Sequence, residues 1–228
     1  MEFQNLKNFG KLYTGRASPR VILSLFTSAP KELGFLGTPK FLAKFQSKDR
    51  HWKRFRFEAL EKRAVTSQDV IEGMQTNLAF YTALMAVQGK DKAMPTFSKL
   101  AEKLGIMIYE DFLPDPKDFL RCPDPWKAVR GYFSEFFQAT ARESVSRLQI
   151  VKDTDQEFQV HFTDCAWHAT ACEAGYPELM PLTARCDVVV MPRLMRDIGG
   201  DFKRESWLCR GEPVCDWHFF RHGAQEVV

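Results

Sequence analysis

The sequence lacks the features that would place it in several large classes of protein. No apolar run approaches the roughly 20 residues that a transmembrane helix needs, and VILSLF at 21–26 falls far short. The N-terminus carries an acidic residue at position 2 and lacks the apolar segment of a signal peptide. We therefore expect a cytoplasmic protein with no membrane partner.

Charge of one sign is also scarce, because the formal net charge is only +3. That balance predicts no nucleic-acid partner. The basic and aromatic segment at 48–63 is interpreted as a helix with a solvated charged face. The chain has no CxxC pair, HExxH, GxGxxG, GxxxxGK[ST] or GxSxG motif. The usual zinc, nucleotide-binding and hydrolase-elbow signatures are thus missing.

Cysteine is absent before Cys122, and five of the six cysteines lie between Cys165 and Cys215. In a cytoplasmic protein these thiols are expected to be reduced, so we consider them as ligands, nucleophiles or core residues. Apolar residues make up 45% of the chain, which excludes a disordered protein. The chemistry is therefore expected in the C-terminal half.

Helical periodicity dominates the first half, with helices predicted at about 67–87, 95–110 and 124–141. Alternating strands are predicted at 146–151 and 157–162, followed by a helix from about 164 and a short helix at about 177–185. The segment 184–191 is interpreted as a strand, and 201–209 with 214–220 as a closing hairpin. The predicted fold is α+β, with a helical N-terminal half packed on a C-terminal antiparallel sheet that carries short helices.

The predicted domain organisation has two parts. Residues 1–50 form an extension of unclear role, and 51–228 form a single α+β domain. Within that domain, helices occupy 51–145, and the sheet with a Cys/Asp site occupies 146–222. At 228 residues the chain is long enough to bury a sizeable core.

The stretch DCAWHATACEAG at 164–175 is the densest in reactive side chains. If it is helical, Cys165, His168 and Cys172 share one face. Such a face suits zinc or iron. It equally suits a thiolate nucleophile activated by a neighbouring histidine, or a buried face on which cysteine acts as a small apolar residue. These three interpretations stay open.

Two Cys-Asp pairs follow, Cys186-Asp187 and Cys215-Asp216. Adjacent strand residues point to opposite faces, so each pair is expected to send one member into a site. Buried aspartates usually have partners. The candidate partners are the arginines of the C-terminal region: Arg193, Arg196, Arg204, Arg210 and Arg221.

Taken together, these elements resemble the L-2-amino-thiazoline-4-carboxylic acid hydrolase family. The similarity rests on Cys165-x-Trp167, on Gly-x-Pro-Glu-Leu at 175–179, on Cys186-Asp187, and on Gly211-x-x-x-Cys215-Asp216. It extends over about 60–222 and leaves the first 50 residues unexplained. The resemblance implies an enzyme that opens a small cyclic amidine by adding water across a C–N bond.

The roles that this reaction needs can be assigned to the matching residues as hypotheses. The nucleophile is either the Cys165 thiolate or a water activated by a base or metal. The other predicted catalytic residues are His168 as acid-base partner, an aspartate that holds the amidinium, and a second thiol. The aspartates are Asp187 and Asp216, and the thiol is Cys215. Trp167 and Arg204 are predicted to bind substrate, with Arg204 on its carboxylate.

The cofactor is not fixed by the sequence. If a divalent metal such as zinc or iron is present, the predicted ligands are the three thiols and one imidazole of Cys165, His168, Cys186 and Cys215. The expected partner is a small-molecule substrate, and a homo-oligomer remains open. One alternative is a non-catalytic α+β module that binds a metal or small ligand. Another is an interaction protein whose cysteines are core residues.

Overall fold

The computed structural model describes residues 2–222, so the last six residues of the predicted domain lie outside the description. The helices are α1 (Pro19–Leu33), α2 (Gly37–Trp52), α3 (Glu58–Glu61), α4 (Gln68–Gln88), α5 (Lys90–Phe112), α6 (Pro116–Leu120), α7 (Pro125–Arg142), α8 (Ala166–Glu173), α9 (Leu179–Thr183) and α10 (Arg185–Asp197). The strands are β1 (Ser146–Asp153), β2 (Glu157–Cys165), β3 (Gly200–Lys203) and β4 (Cys215–Arg221). Single 3-10 turns lie at Glu2–Asn5 and Leu208–Arg210. The α+β class and the antiparallel sheet are confirmed.

The chain divides into two compact units, each built from separate segments. The sheet unit comprises the residues up to Tyr13, Phe112–Ala166 and the chain from Asp187 onward. The helical unit comprises Thr14–Asp111 and Trp167–Cys186. Residue 50, the predicted boundary, lies inside the helical unit, because the chain passes from the sheet unit to the helical unit between Tyr13 and Thr14. Residues 1–50 contribute to both units.

The sheet unit contains all four strands, in the order β1-β2-β4-β3, with every neighbouring pair antiparallel. One face of the sheet packs against α7 through aromatic rings. Phe137 lies 5.2 Å from Trp217 and 5.0 Å from Phe162, and Phe133 lies 4.6 Å from Phe219, between ring centroids. Burying each such ring contributes roughly 1.5–3 kcal/mol. This aromatic layer fixes the position of the strands that carry the site.

Helix α7 begins where the sequence predicts it to begin. Asp124 accepts a hydrogen bond from the backbone N–H of Lys127 at 3.0 Å, and Pro125 occupies the first helical position. Aspartate satisfies an unpaired donor there, and proline lacks the N–H that would otherwise go unpaired. The cap and the aromatic spacing together explain why this helix was predictable.

The helical unit is organised around α4, which packs against α2. Phe80 of α4 meets Phe41 at 5.2 Å and Phe45 at 6.2 Å between ring centroids. The indole N–H of Trp52 donates to the Thr82 hydroxyl at 3.1 Å. The chain leaves α4 at Gly89, whose φ of +78° suits glycine. This is the predicted helix end.

Four sequence predictions differ from the structure. The helix predicted at 48–63 is interrupted, because α2 ends at Trp52 and α3 covers only Glu58–Glu61. Segment 184–191 is not a strand, because α10 covers 185–197. Its Val-Val-Val run has high β propensity, which the tertiary context overrides. Helix α5 begins at Lys90 rather than 95, with Pro95 accommodated in its second turn. The closing hairpin exists as the β3–β4 pair, but an irregular connection over 204–214 replaces the tight turn.

Candidate active site

Cys165 lies at the end of β2 and not on the helix that follows. Helix α8 begins at Ala166, and Asp164 pairs with Arg147 inside the β1–β2 ladder. The helix predicted from about residue 164 therefore begins later, and Cys165 is not part of it. The predicted helical face of Cys165, His168 and Cys172 does not form.

A bulge in β2 decides which way Cys165 faces. Arg147 pairs with Asp164 whereas Leu148 pairs with Phe162, so Thr163 is an extra residue on β2. Cys165 lies opposite Ser146 in the ladder. The Ser146 hydroxyl is 2.6 Å from the Thr140 hydroxyl of α7. Because opposite residues share a face, Cys165 belongs to the face of the sheet that α7 covers.

Cys215 is on the same face. It pairs with Phe162, whose ring contacts Phe137 of α7. The Cys215 sulfur accepts a hydrogen bond from the backbone N–H of Leu208 at 3.3 Å. The two predicted catalytic thiols thus lie on one side of the sheet, near the end of β2 and the start of β4.

A buried ion pair lies on this side as well. Arg204 donates from Nη1 to Oδ2 of Asp187, and the two side chains are only 6% and 11% exposed. The guanidinium carbon stands 4.0 Å from the centre of the Trp207 ring and 5.3 Å from that of Trp217. Arg204 is thus the candidate arginine that pairs with Asp187, and two indoles hold its guanidinium in place. We call Asp187, Arg204, Trp207, Cys215 and Trp217 the ion-pair face.

The connection between β3 and β4 is fixed by its own hydrogen bonds. Ser206 donates from its hydroxyl to the carbonyl of Val214 at 2.7 Å, and a side-chain oxygen of Glu212 accepts from the Trp207 N–H. Gly211 adopts a φ of +84°, which allows the turn after the 3-10 helix. The connection therefore holds Trp207 and both flanking cysteines in defined positions.

Cys209 is half-buried within this connection. Burial raises the pKa of its thiol, and the nearby Cys215 raises it further, while Arg204 and Arg210 act in the opposite direction. Since a raised pKa disfavours the thiolate, Cys209 is a poor candidate for the nucleophile. Cys209 and Cys215 are close together in the chain but differ in their surroundings.

Asp216 occupies the opposite face of the sheet from Cys215. It accepts a hydrogen bond from the Gln159 amide at 3.0 Å, and its Oδ1 lies 3.6 Å from Nε2 of His161. His161 is its partner in the β2–β4 register. Cys215 and Asp216 thus lie on opposite faces of the sheet, as expected for adjacent strand residues. We call Gln159, His161 and Asp216, with the neighbouring Glu157 and His218, the histidine face.

The helical unit contains the remaining predicted site residues. His168 and Cys172 are neighbours one turn apart on α8, with sulfur-to-nitrogen distances of 3.7–3.8 Å. Burial raises the pKa of the Cys172 thiol. Trp167 packs its indole over Gly73, where an added Cβ would lie 3.1 Å from the ring.

Cys186 is a core residue of the helical unit. Its sulfur donates to the carbonyl of Thr183 at 2.9 Å. A Cβ added to Gly105 would lie 2.7 Å from the Cβ of Cys186. Its side chain therefore fills the space that a glycine of α5 leaves open. This close packing favours the interpretation of Cys186 as a small apolar residue.

Metal ligation gains no support from the arrangement of side chains. Among residues 2–222, no three His, Cys, Asp or Glu side chains are grouped so that they could hold a metal ion. The conditional ligand set of Cys165, His168, Cys186 and Cys215 stays a prediction. None of the six cysteines forms a disulfide bond.

Sequence reasoning missed several residues at these two faces. Trp207 and Trp217 hold the guanidinium, and His161 lies beside Asp216. The alternation of β2 places His161 and Gln159 on one strand face, but their partner across the ladder depends on a register that one sequence does not reveal. The Trp207 position was also hidden, because it lies in an irregular connection.

Comparison with known protein families finds a match that covers most of the chain. The family model for L-2-amino-thiazoline-4-carboxylic acid hydrolase matches residues 68–219, which is more than half of the chain. The chain belongs to this family. No curated protein matches it. The matched span contains both the ion-pair face and the histidine face, and it starts at α4.

Proposed function

We propose that the protein is a hydrolase that adds water to the amidine carbon of a small cyclic amidine carboxylate and breaks the ring C–N bond. 2-Amino-thiazoline-4-carboxylate, the substrate in the family's name, is the first candidate. The observation that carries the proposal is the buried pair of Asp187 and Arg204, on the same side of the sheet as Cys165 and Cys215. Two fixed opposite charges and two thiols therefore lie on one side of the sheet.

The charges of the pair match those of the substrate class. An amidine carboxylate carries a cation and an anion a few ångströms apart. Asp187 suits the amidinium and Arg204 suits the carboxylate, since hydrogen bonds between ionised groups are the stronger ones. Burying an ion pair is weak evidence for stability, because desolvation offsets the attraction. A recognition role explains its presence better.

The chemistry then needs a nucleophile at the amidine carbon. We assign the Cys165 thiol, with Asp187 keeping the amidine protonated so that its carbon is electrophilic. The sulfur–carbon bond forms as the ring C–N bond breaks, and water then displaces the cysteine. Overall, the water oxygen becomes a carbonyl oxygen and both water protons end on the former ring nitrogen. The product keeps its C–S bond and gains a primary amine.

The test is to incubate the protein with 2-amino-thiazoline-4-carboxylate and to assay new primary amine and new thiol separately. We expect amine without thiol. Cys165→Ser should lower turnover by about a hundredfold or more, whereas Cys122→Ser, a half-buried thiol after α6, should leave it unchanged.

Three results would count against parts of this proposal. A thiol product would mean that the ring C–S bond breaks instead. Full turnover in Cys165→Ser would remove the covalent step. Stoichiometric binding without any product would favour the alternative, a small-ligand-binding module. The acid-base role of His168 stays a prediction, which a His168→Asn variant in the same assay addresses.

A further inference from the structure

The first helix of the helical unit has two apolar faces, and only one of them is buried. Val21 and Ala29 are almost fully buried. Ile22, Leu23 and Phe26 of the same helix are 46–65% exposed. A helix on the surface of a globular protein normally presents polar residues to water. The outward face of α1 therefore needs an explanation.

The exposed apolar surface continues into the turn after α1. Phe35 and Leu36 are 88% and 78% exposed, more than any other large apolar side chain from residue 3 to 222. They lie between Gly34, whose φ is +72°, and Gly37, where α2 begins. We call the five residues Ile22, Leu23, Phe26, Phe35 and Leu36 the apolar tip.

Basic side chains flank the apolar tip along the chain. Residues 14–56 contain ten Lys and Arg and two acidic residues, a formal charge of +8 that leaves −5 for the rest of the chain. Lys40, Lys44 and Lys48 follow one another at steps of four along α2. No carboxylate in the described part of the chain forms an ion pair with these three lysines or with Lys31. The small net charge of the whole protein conceals the positive charge of this segment.

We propose that the apolar tip and the lysines of α2 dock the protein on an anionic lipid surface. Phe and Leu side chains suit the boundary between headgroups and acyl chains, and lysines beside them suit acidic headgroups. Within residues 2–222 no helix is long and apolar enough to cross a membrane. The expectation of no membrane partner was based on the lack of a spanning segment and of a signal peptide, and adsorption to a lipid surface needs neither.

Two other occupants fit the observations less well. A second copy of the chain would meet this surface with the same surface, because a two-fold interface is self-complementary. Lysines would then face lysines. A nucleic acid would accept the charge and could stack on Phe26 and Phe35, but the other three residues of the apolar tip are aliphatic and offer bases no ring. The combination of aliphatic side chains and positive charge favours lipid.

The surface is independent of the proposed hydrolase activity. It lies in α1, α2 and the turn between them, whereas the family match begins at residue 68. Loss of lipid binding should therefore leave turnover in solution unchanged. A variant that loses turnover should likewise still bind lipid.

The experiment is co-sedimentation of the full chain with vesicles of phosphatidylcholine, with and without phosphatidylserine. We expect binding only when phosphatidylserine is present, and release by added salt. Phe35→Ser/Leu36→Ser should weaken binding at least about tenfold. Lys40→Gln/Lys44→Gln should weaken it about thirtyfold. Both changes are at exposed positions, so the fold should be retained.

Matched controls come from α6, where Leu120 is 51% exposed and Lys117 is also at the surface. Leu120→Ser and Lys117→Gln should leave vesicle binding unchanged. Equal binding to neutral and anionic vesicles, or no binding to either, would overturn the proposal. So would a dimer in light scattering that Phe35→Ser/Leu36→Ser abolishes without any vesicle binding, since the apolar tip would then belong to a second copy.

Discussion

The two aspartates that follow cysteine are almost equally buried, since only 7% of Asp187 and 8% of Asp216 is exposed. They nevertheless have different kinds of partner. Asp187 faces a permanent cation, the guanidinium of Arg204. Asp216 accepts from the neutral amide of Gln159 and lies near His161. The two faces of one sheet therefore offer a fixed charge pair on one side and titratable groups on the other.

The difference suggests a division of labour between the faces. A fixed pair beside two thiols can orient a substrate that carries both charges. The histidine face instead links groups whose charge depends on pH, including Glu157 with His218 at 2.8 Å. We therefore expect mutations on the ion-pair face to have the larger effects.

The largest effect is expected from removing the charge of Asp187. Asp187→Asn leaves the Arg204 cation buried without its counter-charge, which should lower the free energy of unfolding by about 3–5 kcal/mol. Asp216→Asn keeps an oxygen that accepts from Gln159 and should cost about 1 kcal/mol. Urea denaturation of both variants measures the difference.

A double variant serves as the control for this comparison. Asp187→Leu/Arg204→Met removes both charges and should recover much of the stability that Asp187→Asn loses. Equal losses in Asp187→Asn and Asp216→Asn would contradict the distinction between the two faces.

The next effect concerns the indoles that hold Arg204. Lysine keeps the charge but lacks the planar guanidinium, so Arg204→Lys should lose about 1–2 kcal/mol of unfolding free energy. Arg210 also stands over Trp207, at 4.7 Å from the ring centre, but is exposed. Arg210→Lys should therefore change stability by no more than about 0.5 kcal/mol. Similar losses in Arg204→Lys and Arg210→Lys would show that burial of the Arg204 cation adds nothing to the unfolding free energy.

Much of the fold was predictable because the signals are local. The cap at Asp124 with Pro125, the aromatic spacing of α7 and the polar-apolar alternation of β2 each report on neighbouring residues. The segment 184–191 was predicted wrongly for the same reason. Its valines favour a strand locally, but packing within the fold makes it part of α10.

The site was harder to predict because it depends on register. A single extra residue, Thr163, turns Cys165 toward the face of Cys215 and away from that of Asp216. No local pattern marks that bulge. The apolar tip was hidden for a related reason. Periodicity identifies apolar residues such as Phe35 but does not tell whether a second element covers them.

A smaller effect is expected at alkaline pH in the connection between β3 and β4, which contains Cys209. Burial holds the pKa of Cys209 above its usual value of 9.0, so the fold favours the protonated thiol. This contribution to stability is complete below pH 9.0 and is lost as the pH rises through the folded value. Cys209→Ser should therefore lessen the decline in unfolding free energy between about pH 8 and about pH 10, by at most about 1.4 kcal/mol per pH unit. An unchanged decline would contradict the prediction.

The smallest effect is expected on the histidine face, at the other end of the pH scale. The amine of Lys152, and then His218, hold the pKa of Glu157 below its usual value of 4.5. The resulting stability is present above pH 4.5 and is lost as the pH falls through the lower folded value. Glu157→Gln should cost about 0.5 kcal/mol near neutral pH and nothing in strong acid.

Each of these two pH variants is the control for the other. Glu157→Gln should leave the alkaline decline unchanged, and Cys209→Ser should leave the acid decline unchanged. Glu157 lies on the histidine face, whereas Cys209 lies in the connection between β3 and β4. Unfolding free energies at about pH 3, pH 6 and pH 10 measure both. If either variant altered both the acid and the alkaline decline in unfolding free energy, the two sides of the sheet would be coupled through β4. Asp216 and Cys215, adjacent in that strand but on opposite faces, would then act as one site rather than two.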